Sequence, residues 1–175
     1  MPRRIVFVCT GNTCRSPLAE VLARARYAEL PLIFASAGTD AAAGQPASAE
    51  ACAIARERGL DLEGHRSAPV DARAVADAAW VIGMTRMHAA VLRARLSSRW
   101  PGRVGLLGAP GLDWRTAGVP SPANGRTGRD IADQDIADQD IADPWHQDLA
   151  TYRRTGEQID AGLVAWAEVF RELCR

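Results

Sequence analysis

The residues with the clearest chemical potential lie near the start of the chain, in the segment Val-Cys-Thr-Gly-Asn-Thr-Cys-Arg-Ser-Pro at positions 8–17. Glycine and asparagine tolerate a positive φ, so the backbone there can turn successive N–H groups inward and form an anion-binding nest. The guanidinium of Arg15 matches two phosphate oxygens. A cysteine among these donors is favoured as the thiolate, which is the nucleophilic form. The spacing therefore predicts that Cys9 is a nucleophile in an oxyanion cradle formed by Thr10, Gly11, Asn12, Thr13, Cys14 and Arg15.

The context of this loop distinguishes it from a chance match. It follows a predicted strand that ends at Cys9, and Ser16 and Pro17 predict a helix with a serine N-cap and a proline at its first position. The same spacing of cysteine and arginine recurs at Cys52 and Arg58, but there a helical pattern without glycine offers no nest. The alternative for Cys9 is a small buried hydrophobe at the end of a strand.

The sequence indicates neither a metal site nor a bound cofactor. Zinc at Cys9 and Cys14 would need two further ligands, and no second cysteine or histidine pair has suitable spacing. We interpret His88 and His146 as ordinary exposed side chains. All 21 basic residues are arginines, which excludes a Schiff-base lysine and the phosphate-loop lysine of NTPases. The scattered cysteines favour reduced thiols over a disulfide framework.

Cleaving a phosphoryl group from a poor leaving group requires a general acid across the pocket from the nucleophile. Asp143 is the best candidate, because Pro144 holds the preceding residue extended and so directs its carboxylate. Trp145 can form a wall of the same pocket. Without the cysteine-containing loop, these residues would indicate no more than a turn.

Short apolar strands alternate with helical patterns along the chain, which is the order of a parallel sheet with helices on both faces. Ligands bind such sheets beyond the carboxyl ends of the strands, where Cys9 falls. The predicted strands are Arg4–Cys9, Ile33–Gly38, Trp80–Met84 and Val104–Gly108. The predicted helices are Ser16–Leu30, Ser48–Gly59, Val70–Ala79, Arg86–Leu96 and Leu149–Leu173.

The length and the charge of the chain limit the number of domains and the classes of protein to which it can belong. The chain has 175 residues, which at roughly 150 per domain predicts a single domain over residues 1–175. Its 21 basic and 21 acidic residues balance, without the basic excess that marks many nucleic-acid binders. No apolar run approaches the ~20 residues of a membrane span, and the run after Arg4 is too short for a signal peptide. We expect a cytoplasmic protein without nucleic-acid or membrane partners and make no prediction of its oligomeric state.

The segment of residues 109–147 has no clear periodicity and contains a repeat of Asp-Ile-Ala-Asp-Gln over residues 130–143. The period of five matches neither a helix nor a strand, so the isoleucines would not share one face. A solvated loop expanded by repeat slippage is the simpler interpretation. The alternative is an acidic lid or a calcium site, although the glycine turn and bidentate glutamate of calcium loops are missing.

These motifs resemble the low-molecular-weight protein tyrosine phosphatase family over nearly the whole chain. The resemblance implies a three-layer α/β/α fold with a four-stranded parallel sheet in the order 2-1-3-4. It implies hydrolysis of phosphorylated proteins through a phosphocysteine on Cys9, with Arg15 binding phosphate. Asp143 would protonate the leaving group and then activate water, and the Ser16 hydroxyl would stabilise the thiolate.

The resemblance also implies supporting roles. Asn12, Ser36 and His65 are similar to the hydrogen-bonded network that props the family's loop open, with an ordinary surface histidine as the alternative for His65. Cys14 resembles the second loop cysteine, which can form a reversible disulfide with an oxidised Cys9.

Substrate selectivity in this family depends on the fifth loop residue. Tyrosine phosphatases usually carry Ile or Leu there, whereas protein-arginine phosphatases carry Thr, as this chain does at Thr13. A hydroxyl can hydrogen-bond a guanidinium or the attacking water, and a branched alkyl group packs better on a flat ring. Residues 40–48, expected to form the other wall, lack the Trp of many tyrosine-specific relatives. These two features favour phosphoarginine, with phosphotyrosine or another phosphate ester as alternatives. Trp145 is the second candidate selectivity residue.

Two other functions are compatible with the same loop. A thiol-dependent arsenate reductase needs a downstream cysteine pair, whereas Cys52 and Cys174 are far apart and Asp143 would be superfluous. A non-catalytic phosphoprotein-binding module would lack the nucleophile or the acid, and both are present. The chain departs from the family pattern in the segment just before Asp143, where about two additional repeat units could disturb the register of this residue.

Overall fold

The computed structural model describes residues 3–96, 99–116 and 139–175. Within these ranges four parallel strands lie in the order β2-β1-β3-β4, as predicted. The strands are β1 (Arg3–Cys9), β2 (Leu32–Gly38), β3 (Ala78–Gly83) and β4 (Arg103–Leu106). The helices are α1 (Arg15–Arg26), α2 (Ala49–Glu57), α3 (Arg86–Arg95), α4 (Leu149–Ala165) and α5 (Ala167–Glu172).

Alternate residues of the central strand enter two separate hydrophobic cores. Ile5 and Phe7 of β1 pack in the core that includes α1, α2, α4 and α5, whereas Val6 and Val8 pack in the core that includes α3. Because successive side chains of a strand point to opposite faces, the sheet is covered on both sides. The fold is therefore the expected three-layer α/β/α arrangement.

The last predicted helix, Leu149–Leu173, is divided into α4 and α5 at Trp166. The Trp166 side chain is fully buried, and its Nε1 donates to the backbone oxygen of Leu107 at 3.0 Å. Its ring meets Trp80 of β3 edge-on, with the centroids 4.9 Å apart. These contacts hold Trp166 against the end of β4, and its ψ of −5° interrupts the regular helix. The apolar spacing alone does not reveal this interruption.

The predicted helix over Val70–Ala79 is wrong, because this segment forms turns and β3 begins before its end. Val70 N donates to Gly38 O at 2.8 Å, which keeps the start of the segment beside the end of β2. The carbonyl of Val75 accepts from the indole of Trp100 at 2.8 Å. Tertiary contacts therefore hold the start of the segment beside the sheet and use a carbonyl group, that of Val75, which a helix would have bonded internally.

The other predicted strands and helices are present, with ends that differ by a few residues. For example, α1 ends at Arg26 instead of Leu30, and Leu30 N closes a turn on Tyr27 O at 3.0 Å. Gly59 follows the end of α2 with a φ of 72°, as expected for a glycine at this position. No helix in the described ranges combines the length and the apolar character needed to cross a bilayer.

We predict that Gly38→Ala destabilises the protein by about 1–3 kcal/mol, as overpacking does in other close-packed sites. A Cβ at Gly38 would overlap the carbonyl oxygen of Thr10 and lie 3.0 Å from Asn12 N, and both are backbone atoms of the loop after β1. The measurement is the free energy of unfolding in urea. Gly64→Ala is the matched control, because its Cβ meets no atom within 4 Å. Equal stability of the two variants would contradict the prediction.

Candidate active site

Residues 9–15, here called the cysteine loop, connect the central strand β1 to α1. Carbonyl groups of this loop are bonded outward to segments that follow β2. Within the described part of the chain, the backbone N–H groups of residues 11–14 have no protein acceptor, so they remain available for an anion. The outward bonds are Thr39 N to Cys9 O (2.9 Å), Asp40 N to Thr10 O (3.0 Å) and Ser48 N to Thr13 O (2.9 Å).

Asn12 fixes the shape of the loop. Its φ of 54° is the left-handed conformation expected from the sequence, and its side chain is fully buried. Its Nδ2 donates to the hydroxyls of Ser16 and Ser36, both at 2.9 Å, and its Oδ1 accepts from Ala68 N at 2.9 Å. His65 Nε2 donates to the Asn12 carbonyl at 2.7 Å. The structure thus brings together the predicted network of Asn12, Ser36 and His65.

The Cys9 thiol lies at the carboxyl end of β1 and is 3% exposed. Its sulfur is 3.0 Å from the hydroxyl oxygen of Ser16, which is also 3.2 Å from the carbonyl oxygen of Ala37. Serine has one hydroxyl proton, so it can be donated either to Ala37 or to the sulfur. An ionised sulfur is the stronger acceptor, and in that state Ser16 can stabilise the thiolate.

Ser16 does not cap α1, contrary to the prediction. The helix begins one residue earlier, at Arg15, and Cys14 occupies the N-cap position without a side-chain hydrogen bond. The Ser16 hydroxyl instead contacts the sulfur of Cys9 and accepts a hydrogen bond from Asn12 Nδ2. The amino end of α1 is therefore open and carries the positive end of the helix dipole.

Arg15 is the buried cation of the site, with 4% of its surface exposed. Its two terminal nitrogens are occupied, since Nη1 donates to the carbonyl of Ile141 at 3.2 Å and Nη2 donates to Asp143 Oδ2 at 2.7 Å. Its Nε is buried and has no acceptor in the described part of the chain. A buried N–H without a partner is costly, so this atom indicates a place for an anionic acceptor.

Residues 140–143, here called the acid segment, are anchored by contacts of the residues immediately before Asp143. Asp140 Oδ1 accepts from Arg86 N at 2.8 Å, at the start of α3, and Ile141 N donates to Met84 O at 2.8 Å, just beyond β3. Ile141 itself is buried in the core, with 4% exposed. These contacts hold Asp143 beside Arg15, so the added repeat units do not displace it. The units before Gln139, with Asp133 and Asp138, lie outside the described residues.

The selectivity residues predicted from the sequence differ in environment. Thr13 is partly exposed at the loop, and its Oγ1 lies 3.6 Å from the sulfur of Cys14. Trp145 is 52% exposed and packs edge-on against His146, which is exposed as predicted. The Trp145 backbone donates to Asp143 Oδ1 at 3.2 Å and so links the indole to the acid. The Cys14 thiol is free and buried.

The interpretation of His88 as an exposed side chain is wrong. It is 5% exposed, in the first turn of α3, and its Nε2 lies 3.0 Å from Thr10 Oγ1 of the cysteine loop. Burial and, to a smaller extent, the charge of Arg15 lower the pKa of His88 to about 4, while Asp143 opposes them. The spacing Thr85-x-x-His88 resembles a capping box and follows β3, so this local signal could have suggested a packed histidine.

The roles of Glu20, Ser48 and Tyr152 near the loop were not identified from the sequence, because their contacts join distant segments. Ser36 donates to Glu20 of α1 at 2.5 Å. The Tyr152 hydroxyl of α4 lies 3.3 Å from both the Cys14 sulfur and Ser48 Oγ. Burial and the hydrogen bond with Cys14 raise the pKa of Tyr152. In the sequence, Tyr152 falls on the apolar spacing of the predicted helix Leu149–Leu173, which indicates a core position and no contact with the loop.

The arrangement suits a tetrahedral oxyanion. It offers N–H groups that have no acceptor in the described ranges, an open helix end and a buried guanidinium around a thiol, with the Asp143 carboxylate bonded to that guanidinium. Within the described ranges, no three side chains of the metal-ligating types form a cluster.

Comparison with known proteins gives consistent results. A 43% identical relative, a protein-arginine-phosphatase of Geobacillus stearothermophilus, aligns over 50% of this chain and 58% of its own length, so the alignment spans little more than half of that protein. A probable low molecular weight protein-tyrosine-phosphatase of Ralstonia nicotianae is 27% identical over 99% of both chains. The solved structure of the arginine phosphatase YwlE from Geobacillus stearothermophilus matches with a TM-score of 0.73 and 29% identity, over 98% of this chain and 94% of that one.

The family model of low molecular weight phosphotyrosine protein phosphatases matches residues 4–129, which include the cysteine loop and, apart from the first residue of β1, the four described strands. With the sheet order and the loop that the structure describes, this match settles the classification: the chain belongs to the low molecular weight phosphotyrosine protein phosphatase family.

Proposed function

We propose that the protein is a cysteine-dependent protein phosphatase that forms a phosphocysteine on Cys9 and prefers phosphoarginine as its substrate. The observation that carries the phosphatase activity is the buried Nε of Arg15, which has no acceptor among the residues that the structure describes and lies beside the open loop that holds the Cys9 thiol. An anion with several acceptor oxygens would satisfy these donors and place phosphorus next to sulfur.

In the first step the Cys9 thiolate attacks phosphorus, and the bond from phosphorus to the leaving nitrogen or oxygen breaks. The leaving atom takes a proton from Asp143, and the phosphoryl group remains on sulfur. The cradle of N–H groups and Arg15 stabilises the charge on the equatorial oxygens. The Ser16 hydroxyl, 3.0 Å from the sulfur, stabilises the thiolate before attack.

In the second step water attacks phosphorus and gives a proton to the Asp143 carboxylate. The bond between phosphorus and sulfur breaks, which releases inorganic phosphate and restores the thiolate. No cofactor is needed, because proton, nucleophile and leaving group all balance within these residues and water.

The ion pair between Arg15 and Asp143 represents the enzyme before substrate binds. Arg15 Nη2 and Asp143 Oδ2 are 2.7 Å apart. A phosphate dianion binding to Arg15 competes with Asp143 for the same cation, so the arrival of substrate weakens the contact that holds this carboxyl group.

Thr13 supports phosphoarginine as the substrate. Thr13 is a partly exposed residue of the loop, and its hydroxyl can accept a hydrogen bond from a guanidinium. A relative that is 43% identical over half of this chain is named a protein-arginine-phosphatase. Phosphotyrosine is the second candidate, favoured by the exposed indole of Trp145 beside Asp143, which offers an aromatic surface for a phenyl ring.

We predict that Cys9→Ser abolishes turnover but retains affinity for inorganic phosphate, because the anion is held by backbone N–H groups and Arg15. Turnover is measured as phosphate release from a phosphoarginine peptide, and affinity by calorimetric titration. Cys52→Ser is the matched control: this half-buried thiol lies in α2, outside the cysteine loop. Loss of activity in Cys52→Ser with retention in Cys9→Ser would refute the assignment of the nucleophile.

We predict that Asp143→Ala lowers the rate by roughly 10²- to 10⁴-fold on substrates with poor leaving groups, as loss of a general acid does. The loss should be far smaller on nitrophenyl phosphate, whose leaving group needs little protonation. The rates are compared across phenyl phosphates of graded leaving-group acidity.

Asp133→Ala and Asp138→Ala are the controls for Asp143, because they occupy equivalent repeat positions without a following proline. They should retain activity close to that of the wild type. An equal loss for Asp143→Ala on every leaving group would argue against a general acid.

We predict that Thr13→Ile shifts selectivity from phosphoarginine towards phosphotyrosine, because it replaces a hydroxyl by a branched alkyl group. The measurement is the ratio of kcat/KM for two peptides of the same sequence that differ only in the phosphorylated residue. Thr13→Ser, which keeps the hydroxyl, should retain the ratio of the wild type. A ratio unchanged by Thr13→Ile would place selectivity elsewhere in the pocket.

A further inference from the structure

His88 is the one buried histidine in the described ranges, and the phosphatase chemistry above leaves it without a role. Its two ring nitrogens face different elements. Nε2 lies 3.0 Å from Thr10 Oγ1, which follows β1. Nδ1 lies 3.2 Å from Thr85 N and 2.8 Å from Thr85 Oγ1, at the start of α3. The imidazole therefore connects the cysteine loop to α3 across 78 positions of sequence.

The contact with Thr85 determines where the proton of the ring is. A backbone N–H can only donate, so Nδ1 must be the acceptor and cannot itself carry a proton. The proton of a neutral ring is then on Nε2, which donates to Thr10 Oγ1. A doubly protonated ring would place two donors 3.2 Å apart, at Nδ1 and Thr85 N.

The surroundings of the ring favour this neutral form. Burial and the positive charge of Arg15 both disfavour a second proton, while the carboxylate of Asp143 opposes them with a smaller effect. The net result is that the pKa of His88 falls to about 4. His88 thus remains a neutral donor to Thr10 throughout the neutral pH range.

Gly83 permits this position of the imidazole. A Cβ on Gly83 would lie 2.9 Å from the Cβ of His88, so a side chain at the end of β3 would push the first turn of α3 outward. The turn after β3 is therefore packed closely enough to bring His88 to the edge of the sheet where Cys9 lies. Capping of α3 alone needs only Nδ1 and does not explain the contact of Nε2.

The Thr10 hydroxyl accepts from His88 and has one proton of its own. No acceptor for that proton is found in the described part of the chain, and Thr10 is an exposed residue that directly follows Cys9. We propose that His88 is a positioning residue of the active site: it fixes the orientation of the Thr10 hydroxyl, which then donates to an oxygen of the phosphate bound in the loop. This inference rests on the proposed phosphatase function.

The proposal assigns His88 and the Thr10 side chain a role in anion binding that can be measured without turnover. Inorganic phosphate bound in the loop protects the Cys9 thiol from iodoacetate. The phosphate concentration that halves the alkylation rate, followed by mass spectrometry of the peptide containing Cys9, therefore reports the affinity. A wild-type protein that binds phosphate but hydrolyses no phosphorylated peptide would refute the proposed function and leave this readout intact.

The variants separate the two nitrogens of the ring. His88→Asn places an amide oxygen where Nδ1 lies and so keeps the contact with Thr85, but it has no atom at the position of Nε2. His88→Gln has a longer side chain, whose NH₂ group can approach the position of Nε2. Thr10→Val removes the hydroxyl with little change in shape, and Thr10→Ser retains it.

We expect Thr10→Val to weaken phosphate binding by roughly 10- to 100-fold, as for a lost hydrogen bond to a charged group. His88→Asn should weaken it by roughly 2- to 10-fold, because the Thr10 hydroxyl remains but is free to rotate. The double variant should bind no more weakly than Thr10→Val alone, and both His88→Gln and Thr10→Ser should recover part of the loss. In the steady state the change should fall on KM more than on kcat.

Two results would overturn the proposal. If His88→Asn weakened phosphate binding by the same factor in the wild-type protein and in the Thr10→Val variant, the histidine would act independently of the hydroxyl. If His88→Asn lowered the melting temperature without changing phosphate affinity, its role would be to support α3 only.

A spectroscopic measurement on the wild-type protein keeps the proposal testable if the His88 variants fail to fold. The ¹⁵N chemical shifts of the His88 ring should identify a protonated Nε2 and an unprotonated Nδ1, unchanged between pH 6 and 8. A proton on Nδ1 would exclude donation from Thr85 and contradict the proposed orientation of Thr10.

Discussion

The site depends on the direction of the peptide groups in the cysteine loop. An anion can be held by backbone N–H groups only if the carbonyl groups of the same peptides are satisfied elsewhere. Here the carbonyls of Cys9, Thr10 and Thr13 accept from the segments that follow β2, and the carbonyl of Asn12 accepts from His65. The loop is thus bonded on its outer side and open on its inner side, where Arg15 adds a buried charge.

The central position of β1 in the sheet makes the outward bonds of the cysteine loop possible. Because β1 lies between β2 and β3, its carboxyl end is reached by residues from both neighbouring crossovers: Thr39 and Asp40 on one side, His88 and Met84 on the other. The same edge of the sheet anchors the acid segment through Ile141. We expect the long insertion before Asp140 to be tolerated, since the cost of closing a loop rises only slowly with its length and the anchors follow the insertion. Asp143 is positioned by the three residues that precede it.

The sequence predicted what is determined locally. The spacing from Cys9 to Arg15, the left-handed conformation at Asn12 and the sheet order follow from residue types within short segments or from the family pattern they resemble. The features it missed depend on contacts between distant segments. The break at Trp166 results from an indole bonded to the end of β4, and His88 is buried because its ring spans two elements. The local sequence placed Ser16 at the helix cap, and only the family resemblance indicated that its hydroxyl would contact the sulfur of Cys9.

In the proposed reaction the phosphoryl group passes through the Cys9 sulfur. The most direct test is to mix the protein with a phosphoarginine peptide, to quench within the first turnover and to locate the transferred group by mass spectrometry of the proteolytic fragments. We expect one phosphoryl group on the fragment that contains Cys9, which appears before free phosphate and then decays as phosphate is released. Release of phosphate without any modification of that fragment, or a phosphoryl group on another residue, would contradict it.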